Sequence, residues 1–257
     1  MRRVLVTAAA SGIGRNVAEA FVEAGDCVHV CDIDEAELEK LEGVGTTVAD
    51  VADPDDVDRL FTEAAETLGG LDVLVNNAGI SGPTAPVEAI EPGDWRRTID
   101  INLNGQFYCV RRAVPLLKAA GGGSIVNLHS VEGMRGYPGE PVYGAMKAAV
   151  AHFTTCLAAG YGRKGIRANG IGTDLCQTPQ VDYITGWEQH EELWPSWAPV
   201  GRLGWPEEQA RVALFLASDL SSYVTGHNIP VDGGSKAGGG WFFSPEARRF
   251  VNRPPSL

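Results

Sequence analysis

Nowhere does this sequence contain an apolar run long enough to cross a bilayer. The hydrophobic stretch after Arg2-Arg3 is only a few residues long and runs straight into a glycine-marked turn. It reads as a first strand and not as a secretory signal. Positive charge is scarce: 21 Lys and Arg stand against 33 Asp and Glu, a formal net charge of −12. A surface that acidic repels phosphate backbones and anionic lipid, which argues against nucleic-acid and membrane partners. Cysteine is sparse and odd in number. Cys27, Cys31, Cys109, Cys156 and Cys176 fit no zinc spacing and mostly lie in apolar segments, the pattern of reduced, buried thiols in a cytoplasmic protein without a metal site. Internal repeats, low-complexity tracts and linkers are also missing, so residues 1–257 read as one domain.

What is there is a regular alternation. Short apolar runs at 4–7, 27–31, 46–50, 71–75, 124–128, 166–171 and 228–231 read as strands. Between them, 12–24, 35–41, 54–68, 95–118, 142–161 and 206–217 read as helices, the third opening with Asp53 as N-cap and Pro54 at its first position. Strand–helix alternation with short connections predicts an α/β fold, a doubly wound parallel sheet with helices on both faces. Two stretches depart from the rhythm: a long, tryptophan-rich segment over 174–204 and a glycine- and proline-marked tail over 235–257.

The first strand leads into Ser11-Gly12-Ile13-Gly14. A turn between strand and helix that brings backbone N–H groups close to a pyrophosphate needs glycine, and the helix N-terminus adds favourable partial charge. Asp32 ends the second strand, where the adenosine ribose of a dinucleotide lies. A carboxylate there accepts hydrogen bonds from the ribose hydroxyls and repels a 2′-phosphate, and neither Ser11 nor Ile33 supplies a compensating cation. The cofactor expected is therefore NAD. Asp50 and Val51 end the third strand, either beside the adenine ring or simply as the loop before Asp53.

Tyr143 and Lys147 are spaced i, i+4 and share one helix face. A tyrosine with a pKa of about 10 is a poor base at neutral pH. A nearby ammonium and a positive nicotinamide ring favour its phenolate. The pair alone means little, because it recurs by chance on surface helices. Ser130 gives it weight: it is placed just past the strand at 124–128, at the carboxyl edge where ligands bind, and can polarise a carbonyl. Asn102 falls inside the long helix over 95–118, where its amide can hold a water that links Lys147 to solvent.

On these residues the chain resembles the short-chain dehydrogenase/reductase (SDR) family over nearly its whole length. The matching positions are Thr7 to Gly14, Asp50, Asn76-Asn77-Ala78-Gly79, Asn102, Ser130, Tyr143, Lys147, Asn169, Thr178 and Asp232-Gly233-Gly234. The resemblance implies a Rossmann fold with seven parallel strands, an Asn102-Ser130-Tyr143-Lys147 tetrad, and a homotetramer built through the two long helices. It implies that the tyrosine exchanges the hydroxyl proton while hydride moves to or from the nicotinamide. It also implies cofactor contacts from Asn77, Gly79, Tyr143, Lys147, Cys176 and Thr178.

The chain departs from that pattern in places. Ala8 stands at the first glycine of the turn. Thr173-Asp174 replaces the usual Pro-Gly, so Asp174 reads either as a carboxylate beside the oxidised ring or as a solvated loop acid. His129 alternates with Ser130 along the strand, which points it away from a pocket that Ser130 faces. Glu132, Tyr137 and Trp187 are candidate substrate contacts, Glu132 having a solvated turn residue as its other reading. Tyr183, Trp187, Trp194 and Trp197 read as an aromatic lid or as a packing face. The tail, with Trp241, Phe242, Phe243, Arg248 and Arg249, is expected to cover a neighbouring subunit. Two enzyme classes follow: an NAD-dependent oxidoreductase interconverting a small cyclic or hydroxylated secondary alcohol and its ketone, or a non-redox enzyme on the same fold (epimerase, dehydratase or dehalogenase). A sensor that binds NAD without turnover needs no hydroxyl at both Ser130 and Tyr143.

Overall fold

In the computed structural model the described residues are 1–178 and 198–239, with the backbone of two further strands at 242–244 and 249–251. The strands are β1 (Arg3–Thr7), β2 (Cys27–Asp32), β3 (Gly45–Val48), β4 (Val73–Asn76), β5 (Gly123–Ser130), β6 (Ile166–Thr173) and β7 (Asn228–Val231). The helices are α1 (Gly12–Glu23), α2 (Glu35–Leu38), α3 (Pro54–Leu68), α4 (Pro92–Ile99), α5 (Gly105–Ala119), α6 (Pro141–Tyr161) and α7 (Pro206–Ala217). All seven strands pair in parallel, in the order β3-β2-β1-β4-β5-β6-β7. The order reverses between β1 and β4, which opens a crevice at their carboxyl ends.

Side chains alternate across the sheet and fill two separate apolar layers. Val4, Val6, Val73, Val75 and Val126 pack with Val17 and Phe21 of α1 and Leu216 of α7. Their immediate neighbours Leu5, Leu74 and Ile125 pack on the other side with Leu60 and Phe61 of α3 and Leu117 of α5. This is the doubly wound arrangement expected from the sequence.

Several boundaries differ from the sequence reading. β5 runs to Ser130 instead of ending at 128, because it pairs with β6 residue for residue from Gly123↔Ile166 to Ser130↔Thr173. Ser130 is thus the last residue of the strand, not one past it. The helix expected over 95–118 is two helices joined by a π turn at Asp100–Asn104. Gly105, at the end of that turn, packs so tightly that a Cβ there would lie 2.8 Å from Val51 Cγ2. The thiols are free, as expected, but not all are buried: Cys31, Cys109 and Cys176 are, Cys27 is half-buried and Cys156 is exposed. The tail contains two further strands, β8 (Phe242–Ser244) and β9 (Arg249–Val251), paired antiparallel. Tyr183, Trp187, Trp194, Trp197 and Trp241 lie outside the described residues. Among the described residues no helix is long and apolar enough to cross a membrane, and no cluster of His, Cys, Asp and Glu could hold a metal ion.

Candidate active site

The turn after β1 is built around Ala8, whose φ of +51° is in the left-handed region. That region costs a residue with a Cβ roughly 1–2 kcal/mol. Asn77 holds the turn in place: its Nδ2 donates to the carbonyls of Thr7 (3.1 Å) and Ala8 (2.9 Å). Thr7 Oγ1 returns the contact by accepting from the N–H groups of Asn77 and Ala78. Gly14 lies beneath, and a Cβ there would be 2.2 Å from the Ala8 oxygen and 2.5 Å from Asn77 Nδ2. The glycine is thus needed for α1 to approach the turn. Ser11, at the N-cap of α1, makes no side-chain capping bond, so the first turn of the helix keeps donors for a ligand.

Asp32 closes the other side. Its Oδ2 accepts from the Ala10 N–H at 3.0 Å, and its Oδ1 from Ile33 and Asp34. Between these elements is a cleft of about 380 Å³. Nine positions expected from the sequence line it: Ser11, Gly12, Ile13, Asp32, Asp50, Val51, Asn77, Gly79 and Thr178. Its glycine cradle, open helix terminus and ribose-facing carboxylate fit a dinucleotide. Arg97 also lines the cleft and was not singled out by sequence reasoning. No sequence signal marked it: only the fold brings it to the cleft beside Ile101. Cys176 does not line the cleft. It pairs as an isolated bridge with Gly204, and burial pushes its thiol up to about 12.

Tyr143 and Lys147, also expected to touch the cofactor, do not line the cleft; Lys147 lies behind Gly79, which does. Asn102, in the π turn, is fully buried and spans the backbone of Ile80, accepting from its N–H and donating to its carbonyl, both at 2.8 Å. Distorted helical turns of this kind often carry functional side chains. Gly79 lies between Asn102 and Lys147: a Cβ there would be 2.6 Å from Asn102 Oδ1 and 3.0 Å from Lys147 Nζ. Lys147 is buried, its Nζ 3.5 Å from the Leu128 carbonyl and 5.4 Å from the centre of the Tyr143 ring. Burial lowers its pKa to about 8. Tyr137 packs edge-on against Tyr143, ring centres 6.2 Å apart.

Ser130 reaches this point because glycines let its turn lie against α6. A Cβ at Gly133 would be 2.5 Å from the Lys147 carbonyl carbon, and one at Gly144 would be 3.2 Å from the Glu132 oxygen. Ser130 Oγ donates to the Thr173 carbonyl and accepts from the Glu132 N–H, both at 3.1 Å. The structure thus brings Asn102, Tyr143 and Lys147 together beside Gly79 and packs the turn that follows Ser130 against α6.

The remaining sequence candidates fall around this group. Glu132 and Asp174 both bond Arg135, so neither is the solvated acid that one reading made it. Burial raises the pKa of Asp174. His129 is buried beside Gly170 and Gly172, with Nδ1 on the Ser130 carbonyl at 3.1 Å. It is a packed histidine whose pKa burial lowers to about 4. Glu140 escaped the sequence reading. It is buried at the start of α6, accepts from Thr84 Oγ1 at 2.9 Å, and has its pKa raised by burial.

The profile of a family described as enoyl-(acyl carrier protein) reductase matches residues 7–236. Cis-4-hydroxycyclohexanecarboxylate dehydrogenase of Sinomonas cyclohexanicum is 39% identical over 243 residues, covering 92% of this chain and 97% of the relative. The chain belongs to the short-chain dehydrogenase/reductase family. Another SDR relative, cyclohexanol dehydrogenase of an Acinetobacter strain, is 38% identical over 89% of this chain and 92% of its own length. Among solved structures, levodione reductase superposes with a TM-score of 0.86 at 33% identity, covering 92% of this chain and 98% of that one.

Proposed function

We propose that this SDR is an NAD-dependent oxidoreductase that interconverts a secondary alcohol and a ketone, with a small cyclic substrate. One observation carries the reading: a buried lysine lies beside the Tyr143 ring and directly behind Gly79, which lines the same cleft as Asp32. NAD, when bound in this cleft, would supply the hydride chemistry. In the oxidative direction the Tyr143 phenolate, stabilised by the Lys147 ammonium, takes the carbinol proton and becomes the phenol. A lysine with a pKa of about 8 is mostly ammonium at pH 7. Ser130 holds the substrate oxygen, and Asn102 fixes the wall behind Lys147 through Ile80.

Asp32 supports NAD over NADP, since its second oxygen already takes the Ala10 N–H and a 2′-phosphate would meet a carboxylate. The cyclic substrate is supported by the names of the two cyclohexane-ring relatives. The acids that motivated a non-redox reading, Glu132 and Asp174, are engaged by Arg135. The family's homotetramer and the cytoplasmic setting belong to the same proposal.

The test is NADH absorbance with a panel of secondary alcohols and ketones that includes cyclohexanol. Tyr143→Phe is expected to abolish turnover and keep NAD affinity. A Tyr143→Phe enzyme turning over at near-normal rate would remove the mechanism, and equal turnover with NADP would remove the cofactor assignment.

A further inference from the structure

Ser130 is oriented by two backbone groups, and one guanidinium governs both. Arg135 Nη2 donates to Glu132 Oε1 at 2.7 Å and to Asp174 Oδ2 at 3.2 Å, and its Nε donates to Glu132 Oε2 at 3.2 Å. The N–H of Glu132 itself donates to Ser130 Oγ. The carbonyl that accepts from Ser130 belongs to Thr173, whose peptide bond leads directly into Asp174. Glu132 is buried and the other two side chains are largely covered, at 11%, 9% and 7% side-chain exposure for Arg135, Glu132 and Asp174. The cluster continues past β7, where Ser235 Oγ donates to Asp174 and lies 3.3 Å from Asp232 Oδ2. Arg135 therefore joins the segments that follow β5, β6 and β7, three adjacent strands at the carboxyl edge of the sheet.

We infer that Arg135 is a positioning residue for Ser130, acting through the Glu132 and Thr173 peptide groups. This rests on the dehydrogenase reading of Ser130. A serine hydroxyl has one donor and two lone pairs. Here the donor is on Thr173 and one lone pair takes the Glu132 N–H. The oxygen is held by its surroundings while its hydrogen turns from Thr173 to the substrate oxygen. Without the guanidinium, two largely covered carboxylates lose their shared partner and repel each other, and a low-dielectric site magnifies that repulsion. The segments bearing them then separate, and Ser130 Oγ moves with them. A displacement of about 1 Å at a reacting centre costs on the order of 100-fold in rate.

The experiment uses the full chain with NAD and cyclohexanol, or the fastest alcohol of the panel above, and compares Arg135→Met, Arg135→Lys, Ser130→Ala and the double variants. Arg135→Met is expected to lower kcat roughly 10- to 100-fold with NAD affinity unchanged. Arg135→Lys keeps the charge but not the fork, and is expected to recover part of the rate. Placed on Ser130→Ala, either arginine variant should cost no more than about twofold further, because both act through one oxygen. Should the Met variant fail to fold, the Lys variant in the wild-type and Ser130→Ala backgrounds carries the same comparison. Full kcat in an arginine variant, or losses that multiply with Ser130→Ala, would overturn the positioning role alone. A Ser130→Ala enzyme at wild-type rate would overturn both this role and the reading of the site.

Discussion

Lys147 Nζ lies 5.4 Å from the centre of the Tyr143 ring, and the lysine is buried in the core of the molecule. The site therefore places an ammonium largely out of reach of bulk solvent, and stability is given up to put charge beside a phenol.

That cost is measurable. Burial lowers the lysine pKa from 10.5 to about 8, so the unfolded chain binds this proton more tightly than the folded one. Folding is penalised by about 3 kcal/mol below pH 8, and the penalty fades as pH rises from 8 to 10.5. Lys147→Met is expected to unfold at higher denaturant concentration at pH 7 and to lose turnover. A Met variant less stable than wild type in urea titrations would contradict this account.

His129 gives the opposite end of the pH scale. Its pKa falls from 6.5 to about 4 on burial, so stability is unaffected above about pH 6.5 and declines as pH drops toward 4. At pH 5 the loss attributable to His129 is about 2 kcal/mol. The stability of His129→Gln should fall less steeply between pH 7 and 5. Parallel slopes for the two proteins would show that the histidine is not the titrating group.

Ala8 in the turn after β1 and Gly14 in the first turn of α1 have opposite constraints. Ala8→Gly relieves a left-handed conformation and is expected to stabilise the fold by up to about 1 kcal/mol. Gly14→Ala drives a Cβ into the Ala8 carbonyl and should cost more than about 2 kcal/mol and weaken NAD binding. Thermal melts and NAD titrations check both. A Gly14→Ala protein with native affinity would mean that α1 can retreat from the turn.

Asp32 and Arg97 line the same cleft with opposite charge. Asp32→Ala should lower kcat/KM for NAD and raise it for NADP, shifting the ratio on the order of 100-fold, about 3 kcal/mol. Arg97→Ala should weaken both cofactors. If Arg97→Ala alone abolished NADP use in the Asp32→Ala background and left NAD untouched, the arginine would be a 2′-phosphate contact instead.

Much of this was legible in the chain itself. The short continuous apolar runs and the helices between them determine a doubly wound parallel sheet, because such strands must bury both faces. The glycine turn, Asp32, and the i, i+4 pair Tyr143 and Lys147 follow from local geometry alone, and so did most of the cleft lining. Tertiary structure decided the rest. β5 extends to Ser130 because β6 pairs with it through Thr173, and no local pattern reveals a partner strand. The π turn at Asn102 arises where its side chain spans the Ile80 backbone, a contact between residues 22 apart in sequence. Arg97 reached the cleft through helix register. Glu132 and Asp174 are 42 residues apart, and only the folded chain brings Arg135 between them. What a charge does depends on whether folding supplies its partner, and that is a property of the packed molecule.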